Sequence, residues 1–460
     1  NALFTTRLNT VFDLLDVPQV INDLAGVRWC SENDDAWANM VLYRDTYGDQ
    51  LWRMIPFDMN ASWGQRYGGV ATLEANVDTQ KSHPLYGGRA IVPAENGGAN
   101  YCNHLYDVLV TLPQTREMYL RRMRSIMDLA IQPPGTPFDS LIIENYIRQM
   151  TNLMAPDALI DRTKWGLTTW APTDGFVVAA SNLMSQFVGP RRTHWYVTHS
   201  ITNNARVTGT NAADKAGIPL AQPAQTVLGL AAVEFNPSSA DQSQEFIAIT
   251  NGNPYAVDLT GWKLSKGIDF TFKPGTVMPS NSVMYVSPNV VSFKQRTTGP
   301  RGGQGLFVVG PYKGQLSARG ESVVLKDTTG FLVFSNAYVG APSLAQQYLR
   351  VTEIMYNPAA TPGDSTDPQE YEYLELRNTS ASATLDLTGV RFTNGIVFSF
   401  TGSAVTSLAP GARVLVVRNP GAFAARYGAG LPVAGAFTGA LDNAGESRSE
   451  EHTSELQSPY

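Results

Sequence analysis

The region from about residue 226 to 445 repeats itself, and that repetition constrains the fold more than anything else in the chain. VEFNPSSADQSQEFIAITNGNPYAVDLTGWKLSKGIDFTF, beginning at Val233, returns from Thr352 as TEIMYNPAATPGDSTDPQEYEYLELRNTSASATLDLTGVRFTNGIVFSF. Asn236 and Pro237 match Asn357 and Pro358, and Glu245 and Asn251 match Glu372 and Asn378. Asp258 to Gly261 matches Asp386 to Gly389, and Phe270 and Phe272 match Phe398 and Phe400. Anchors that keep their order across two copies require each copy to fold as the same unit. Short Val, Phe, Tyr and Thr-rich runs alternate there with Gly, Pro and Asn turns, the spacing of a β-sandwich. One sandwich is expected over 226–345 and another over 346–445. The second has Val390 where the first has Trp262 and runs into a dissimilar tail, so it reads as incomplete.

Residues 1–200 have a different character, mixing helix and strand. Helical periodicity marks Thr10 to Leu24, with Pro18 starting a new helix, then Leu105 to Ile131, Ser140 to Met154 and Phe176 to Val188. MVLYRDTYGDQLWRMIPFD, from Met40, reads as a β-hairpin around a Tyr-Gly-Asp turn. Residues 201–225, rich in Gly, Pro, Asn and Ala, read as a linker. The chain opens inside an amphipathic pattern, which predicts an upstream region. Residues 448–460 (RSEEHTSELQSPY from Arg448) resemble a translated sequencing adapter and are set aside from fold reasoning.

No run of 18 or more apolar residues occurs, so no transmembrane helix is expected. The formal net charge of −6 is spread along the chain and argues against nucleic acid as the main partner. Cys30 and Cys102 are the two cysteines, too few for a disulfide framework, and either one bridge or two buried thiols fits them.

Chemistry concentrates between Cys30 and Gly64. Asp34 precedes Asn39 with four residues between, and Asp35 offers a competing register. In phosphoryl transfer an aspartate takes the hydroxyl proton, an asparagine five positions on holds a magnesium ion, and a second aspartate binds the bridging metal. Asp58, just past the hairpin in LWRMIPFDMNASWG, occupies that last place, and Asn60 follows it. A hard cation needs oxygen ligands in fixed geometry, which a strand-to-turn junction supplies. The plainer reading makes Asp58 a turn residue paired with Arg44 or Arg53, and Asp34 a solvated helix cap.

Both regions resemble known families. Residues 226–445 resemble the lamin-tail domain, an immunoglobulin-like sandwich of bacterial surface proteins, through the Asn-Pro opening, the Glu-[Phe/Tyr]-[Ile/Leu] strand and the Asp-Leu-Thr-Gly corner. Asp16 to Gly69 resembles the CotH family of atypical protein kinases, through Asn39, Leu42 to Asp45 and Trp52 to Gly64. The fold class is therefore multidomain α+β: the C-terminal lobe of a CotH kinase-like domain, its upstream lobe missing, then two immunoglobulin-like sandwiches.

The resemblance implies an exported or surface kinase that transfers the ATP γ-phosphate to serine of a coat or surface protein, using Mg2+ or Mn2+. It implies Asp34 (or Asp35) as the catalytic aspartate and Asp58, Asn39 and Asn60 as metal-binding candidates. Asn60 stands where many members carry aspartate, which weakens the metal site. The alternative is a non-catalytic surface interaction protein whose sandwiches do the binding.

Other features take bland readings. Arg116, Arg121, Arg122 and Arg124 read as a solvated or salt-bridged helix face. His194 and His199 miss the spacing of a zinc pair. The loop Gly299 to Gly305 lacks a phosphate-loop signature and reads as a mobile hairpin loop. The acidic loop at Asp364, Asp367 and Glu370 lacks calcium-loop spacing.

Overall fold

Asp16 organises the start of the chain. It ends helix α1 (Ala2–Leu14) and caps α2 (Val17–Cys30), its carboxylate accepting the Gln19 N–H at 3.3 Å, with Pro18 in the first turn where no N–H is missed. In this computed structural model the described residues are 2–31, 39–59, 62–64, 73, 83–85, 104–166, 175–203, 216–239, 241–393 and 395–442. Strands β1 (Met40–Arg44) and β2 (Trp52–Pro56) form the expected antiparallel hairpin. Its turn is held by Asp45, which accepts the Tyr47 and Gly48 amides.

Helices α3 (His104–Thr111) and α4 (Pro113–Ala130) replace the single expected helix over 105–131. The cause is Pro113, which pushes Leu112 to an extended φ −72, ψ 124 and opens a new helix. α5 (Ile142–Trp165) runs past its expected end at Met154. α6 (Phe176–Asn182) and α7 (Gly189–Thr193) are joined and followed by π-helical turns, Leu183–Val188 and His194–Thr198.

Two β-sandwiches follow. The first contains β3 (Gly229–Glu234), β4 (Phe246–Asn251), β5 (Val257–Asp258), β6 (Lys263–Ser265), β7 (Ile268–Thr271), β8 (Val277–Met278) and β9 (Ser282–Val286). Helix α8 (Val290–Lys294) then leads to β10 (Phe307–Val309), β11 (Lys313–Gly314), β12 (Ser322–Lys326) and β13 (Leu332–Ala337). One sheet has the order β10-β9-β4-β3, with β10 and β9 parallel, and faces the sheet β11-β7-β6-β12-β13.

The second sandwich opens with α9 (Leu344–Tyr348), β14 (Leu349–Met355), β15 (Tyr373–Asn378), β16 (Leu385–Asp386), β17 (Arg391–Phe392), β18 (Ile396–Ser399) and β19 (Ser407–Leu408). It closes with β20 (Arg413–Val417), α10 (Pro420–Tyr427), β21 (Val433–Ala436) and β22 (Thr438–Gly439). Its order β14-β15-β20-β21, again with a parallel last pair, repeats the first copy, and its β17-β18-β22 sheet matches β6-β7-β11 with no counterparts of β12 and β13 among the described residues. The β-rich C-terminal region is thus two immunoglobulin-like sandwiches.

The repeated residues are those whose buried polar groups have to be satisfied. Asn251 Nδ2 donates to the carbonyls of Tyr255, Met278 and Pro279, and Asn378 Nδ2 to those of Ala383, Leu408 and Ala409. Buried Glu245 accepts the Leu316 amide at 3.1 Å, and buried Glu372 the Leu441 amide at 3.0 Å. Asp258 and Asp386 each turn the Asp-Leu-Thr-Gly corner by accepting the amide of Thr260 or Thr388. Asn289 caps α8 as Asn419 caps α10.

One apolar core runs through the helical region and the first sandwich, joining Val20, Leu24, Met118 and Met123 to Val257, Leu259 and Phe272. A separate core, with Leu374, Leu376, Phe392 and Phe400, fills the second. Arg121, Arg122 and Arg124 lie where α4 meets the first sandwich, so the salt-bridged reading holds, with Arg122 paired to Asp258 and Arg124 to Asp128, and the solvated one does not. Arg121, 3% exposed, donates to the carbonyls of Ala256 and Leu220. Arg122 reaches Asn22, Asp258 and Thr260, and Arg124 reaches Asp128 and Pro219. The Gly299–Gly305 loop is likewise docked rather than free: Gly303 donates its amide to Asp13 at 2.7 Å and accepts from Asn9 at 2.7 Å. In the segment expected as a linker, Ala216 and Ile218 are fully buried.

Replacing Asn251 or Asn378 by alanine removes three hydrogen bonds to carbonyls, while Pro279 still accepts from Ser282 and Ala409 from Ala412, a cost of about 1–3 kcal/mol. Because the cores are separate, thermal unfolding followed by hydrogen exchange should show Asn378→Ala destabilising the second sandwich alone. Asn251→Ala should weaken the helical region together with the first sandwich.

Candidate functional site

The hairpin and α2 run side by side, and their ends define the site. A parallel bridge joins Leu15 to Trp52, and the Asp16 amide donates to the Trp52 carbonyl at 2.9 Å. Gln19 brackets Met54: its Oε1 accepts the Met54 amide at 3.0 Å, and its Nε2 donates to the Met54 carbonyl. β2 therefore leaves α2 at a fixed place and delivers Asp58 beyond its end.

Asp58 has φ +52, the left-handed conformation that aspartate tolerates, and its side chain is exposed. Asn39 is brought to it: the Asn39 Nδ2 donates to the Asp58 carbonyl at 3.1 Å, and the Phe57 amide donates to the Asn39 carbonyl at 3.2 Å. That leaves the Asn39 Oδ1 and the Asp58 carboxylate as oxygen donors at one end of the hairpin. Asp34, Asp35 and Asn60 lie outside the described residues.

The plainer pairing of Asp58 with Arg44 or Arg53 does not form. Arg53 binds Asp49 and, at 3.0 Å, Asp16, while Arg44 donates to the Gln50 carbonyl at 3.0 Å. Burial opposes ionisation of Asp49, but the Arg53 hydrogen bond and charge outweigh it and hold that carboxyl below its usual range.

The C-terminal end of α2, which leads into the segment of Asp34, is gripped from behind. Arg191, buried in the π-helical region, donates to the carbonyls of Trp29, at 2.8 Å, and Arg28. Burial pushes Arg191 down to about 9, so it remains a cation at neutral pH and complements the helix dipole. Its guanidinium lies 4.2 Å from the Trp195 ring centroid. Cys30 is a buried thiol donating to the Val27 carbonyl at 3.5 Å, and Cys102 lies outside the described residues.

Three histidines gather near this end, which sequence spacing alone did not suggest. The His194 and His199 rings lie 4.5 Å apart edge to face, and His83 and His199 lie 4.6 Å apart. The π turn closes with the His199 amide on the His194 carbonyl, so a spacing of five stacks residues that an α-helix would separate. Nδ1 of His83 and of His199 each accept a backbone amide, from Leu85 and Ala216, which fixes the rings as packed elements. Among the described residues no three His, Cys, Asp or Glu side chains are grouped to hold a metal ion. In the acidic loop of the second sandwich, Asp364 accepts from Tyr371, Asp367 caps a turn and Glu370 accepts from Asn419.

Asp23, one turn beyond Gln19, is raised to about 6 by burial, against a hydrogen bond from Gln19, with Asp16 adding repulsion. A folded-state value above the unfolded one means the folded protein holds the proton more tightly between about pH 4 and 6, so stability falls as pH rises through that window. Asp23→Asn should abolish this slope and stabilise the protein above pH 6 by on the order of 1 kcal/mol, a figure reduced for partial solvation. Urea unfolding at pH 4, 5, 6 and 7 measures both effects.

With this geometry in view, comparison with protein families is specific. Residues 4–194, which contain α1, α2, the hairpin and the Asn39–Asp58 junction, match the CotH kinase protein family. Residues 222–340, the first sandwich, match the Lamin Tail Domain. No curated protein matches the chain. One chain thus joins a helix–hairpin unit that matches the CotH kinase protein family to a sandwich that matches the Lamin Tail Domain.

Proposed function

We propose that this chain carries part of an atypical protein kinase of CotH type, acting on serine of a coat or surface protein. The observation that carries the reading is the Asn39–Asp58 junction, where an amide oxygen and an exposed carboxylate stand free at the end of a hairpin anchored on α2. Both are hard oxygen donors, the kind a divalent cation takes, and they fit as part of such a ligand set. A bound Mg2+ or Mn2+ would offset the charge of the ATP phosphates. Asn60, two positions on in the sequence, would offer a neutral donor rather than a second charge.

In the proposed reaction the Asp34 carboxylate, with Asp35 as the alternative, accepts the serine hydroxyl proton. The serine oxygen bonds to the γ-phosphorus as the bond to the β–γ bridging oxygen breaks, releasing ADP. The exposed apolar face of the hairpin, Val41, Tyr43 and Ile55, lies beside the junction and suits the flat face of a nucleobase. A lamin-tail role for the second sandwich, and an extracellular or surface location, belong to the same proposal. No helix among the described residues is long and apolar enough to cross a membrane.

The test is phosphate transfer from γ-labelled ATP to a serine-bearing protein acceptor with Mg2+ or Mn2+. Asp58→Ala and Asp34→Ala should each lower transfer by about a hundredfold or more while the protein stays folded. Transfer that survives Asp58→Ala would remove Asp58 from the site. Its absence under all conditions, with wild-type and Asp58→Ala protein binding Mn2+ and ATP alike, would favour the non-catalytic interaction protein.

A further inference from the structure

The hairpin that presents Asn39 and Asp58 is a two-stranded ribbon, a unit with little stability of its own. Val41, Tyr43 and Ile55 on one face are exposed, Met54 is buried on the other, and the β2 edge is bonded to α2 through Gln19. A charged anchor for β2 is Asp16, 2% exposed. Its Oδ2 receives Arg53 Nε from β2 at 3.0 Å and Lys273 Nζ from the first sandwich at 2.5 Å, while Oδ1 caps α2. A carboxylate this buried needs its cations. Arg53 alone would serve two carboxylates, because it also binds Asp49. Lys273 thus completes a chain of charges running from the sandwich, through Asp16 and Arg53, into the strand that carries Asp58.

The two sandwiches differ at this point. The residue after Phe272 is Lys273, and the residue after its counterpart Phe400 is Thr401, whose hydroxyl accepts the Gly389 amide within its own domain. Nearby, Gly275 approaches α2 so closely that a Cβ there would meet the Pro18 carbonyl at 2.0 Å. The docked copy carries the lysine and the close approach, and the copy with a separate core lacks the lysine.

We propose that Lys273 of the lamin tail domain is a positioning residue for the kinase-like site, holding the β1–β2 hairpin, and with it Asn39 and Asp58, through Asp16 and Arg53. That the hairpin end is the site rests on the function proposed above; that Lys273 holds the hairpin does not.

Hydrogen exchange on the full chain, without nucleotide or cation, tests the proposal directly. Lys273 is 40% exposed, so Lys273→Met removes the charge without opening a core. It should speed exchange of the amides in 40–57 by about tenfold or more, leaving α4 at wild-type rates. Lys273→Arg should restore protection. Glu117→Gln, which weakens the Glu117–Ser280 contact elsewhere on the same interface, should leave the hairpin unchanged. Unaltered hairpin exchange in Lys273→Met, or equal loosening in Glu117→Gln, would overturn the proposal. A parallel titration with Mn2+ followed by its paramagnetic resonance separates the two readings: no binding that depends on Asp58 in the wild type would sink the kinase reading alone. Hairpin loosening in Lys273→Met with Asp58-dependent binding unchanged would overturn the link from Lys273 to the site.

Discussion

The buried pair between Arg122 of α4 and Asp258 of the first sandwich is the interaction on which the rest of the structure turns. Its members are 12% and 6% exposed and 3.0 Å apart, with Asn22 and Thr260 completing the guanidinium's hydrogen bonds. Beside it Arg121 spends its donors on the Ala256 and Leu220 carbonyls. Removing one partner of such a pair typically costs about 3–5 kcal/mol, because the charge left behind is buried. The same Asp258 makes the sandwich's own corner turn by accepting the Thr260 amide. One carboxylate thereby ties the internal fold of the sandwich to its attachment on the helices.

That attachment changes what the first sandwich is. Two domains in series would each keep a core, and relative motion would be the default. Here α2 and α4 share a core with β5, β8 and the Asp-Leu-Thr-Gly corner, while Lys294 caps the last carbonyls of α1 from the sandwich side. The second sandwich repeats the four-stranded sheet but keeps a core of its own, and Arg319 donates to the Gln346 carbonyl between the two. One repeat is packed into the helical body, and the other keeps a core to itself.

What the sequence disclosed follows from the same physics. The sandwiches were readable because Asn251 with Asn378, and Glu245 with Glu372, satisfy buried groups that few other side chains can reach, so the letters recur. The hairpin and its Asp58 junction were readable from alternation and turn chemistry. The salt-bridged reading of the α4 arginines held, but their burial against the sandwich was not legible, because a helical charge run ordinarily faces water and nothing local signals a partner more than a hundred residues away. The His194–His199 pairing was hidden by a π turn, and the docking of Gly299–Gly305 by glycine content that usually marks a free loop. For the site, the Asn39 side chain bonds to the Asp58 carbonyl, whereas Asp34, Asp35 and Asn60 lie outside the described residues.

The central claim is that helices and first sandwich form one cooperative body. Hydrogen exchange across a series of urea concentrations measures it most directly, by asking whether peptides from 113–130 and from 246–286 lose protection together. A single shared transition, distinct from that of 373–417, is the result predicted. Protection that persists in 246–286 after α4 has exchanged would show the sandwich standing alone and would contradict the account.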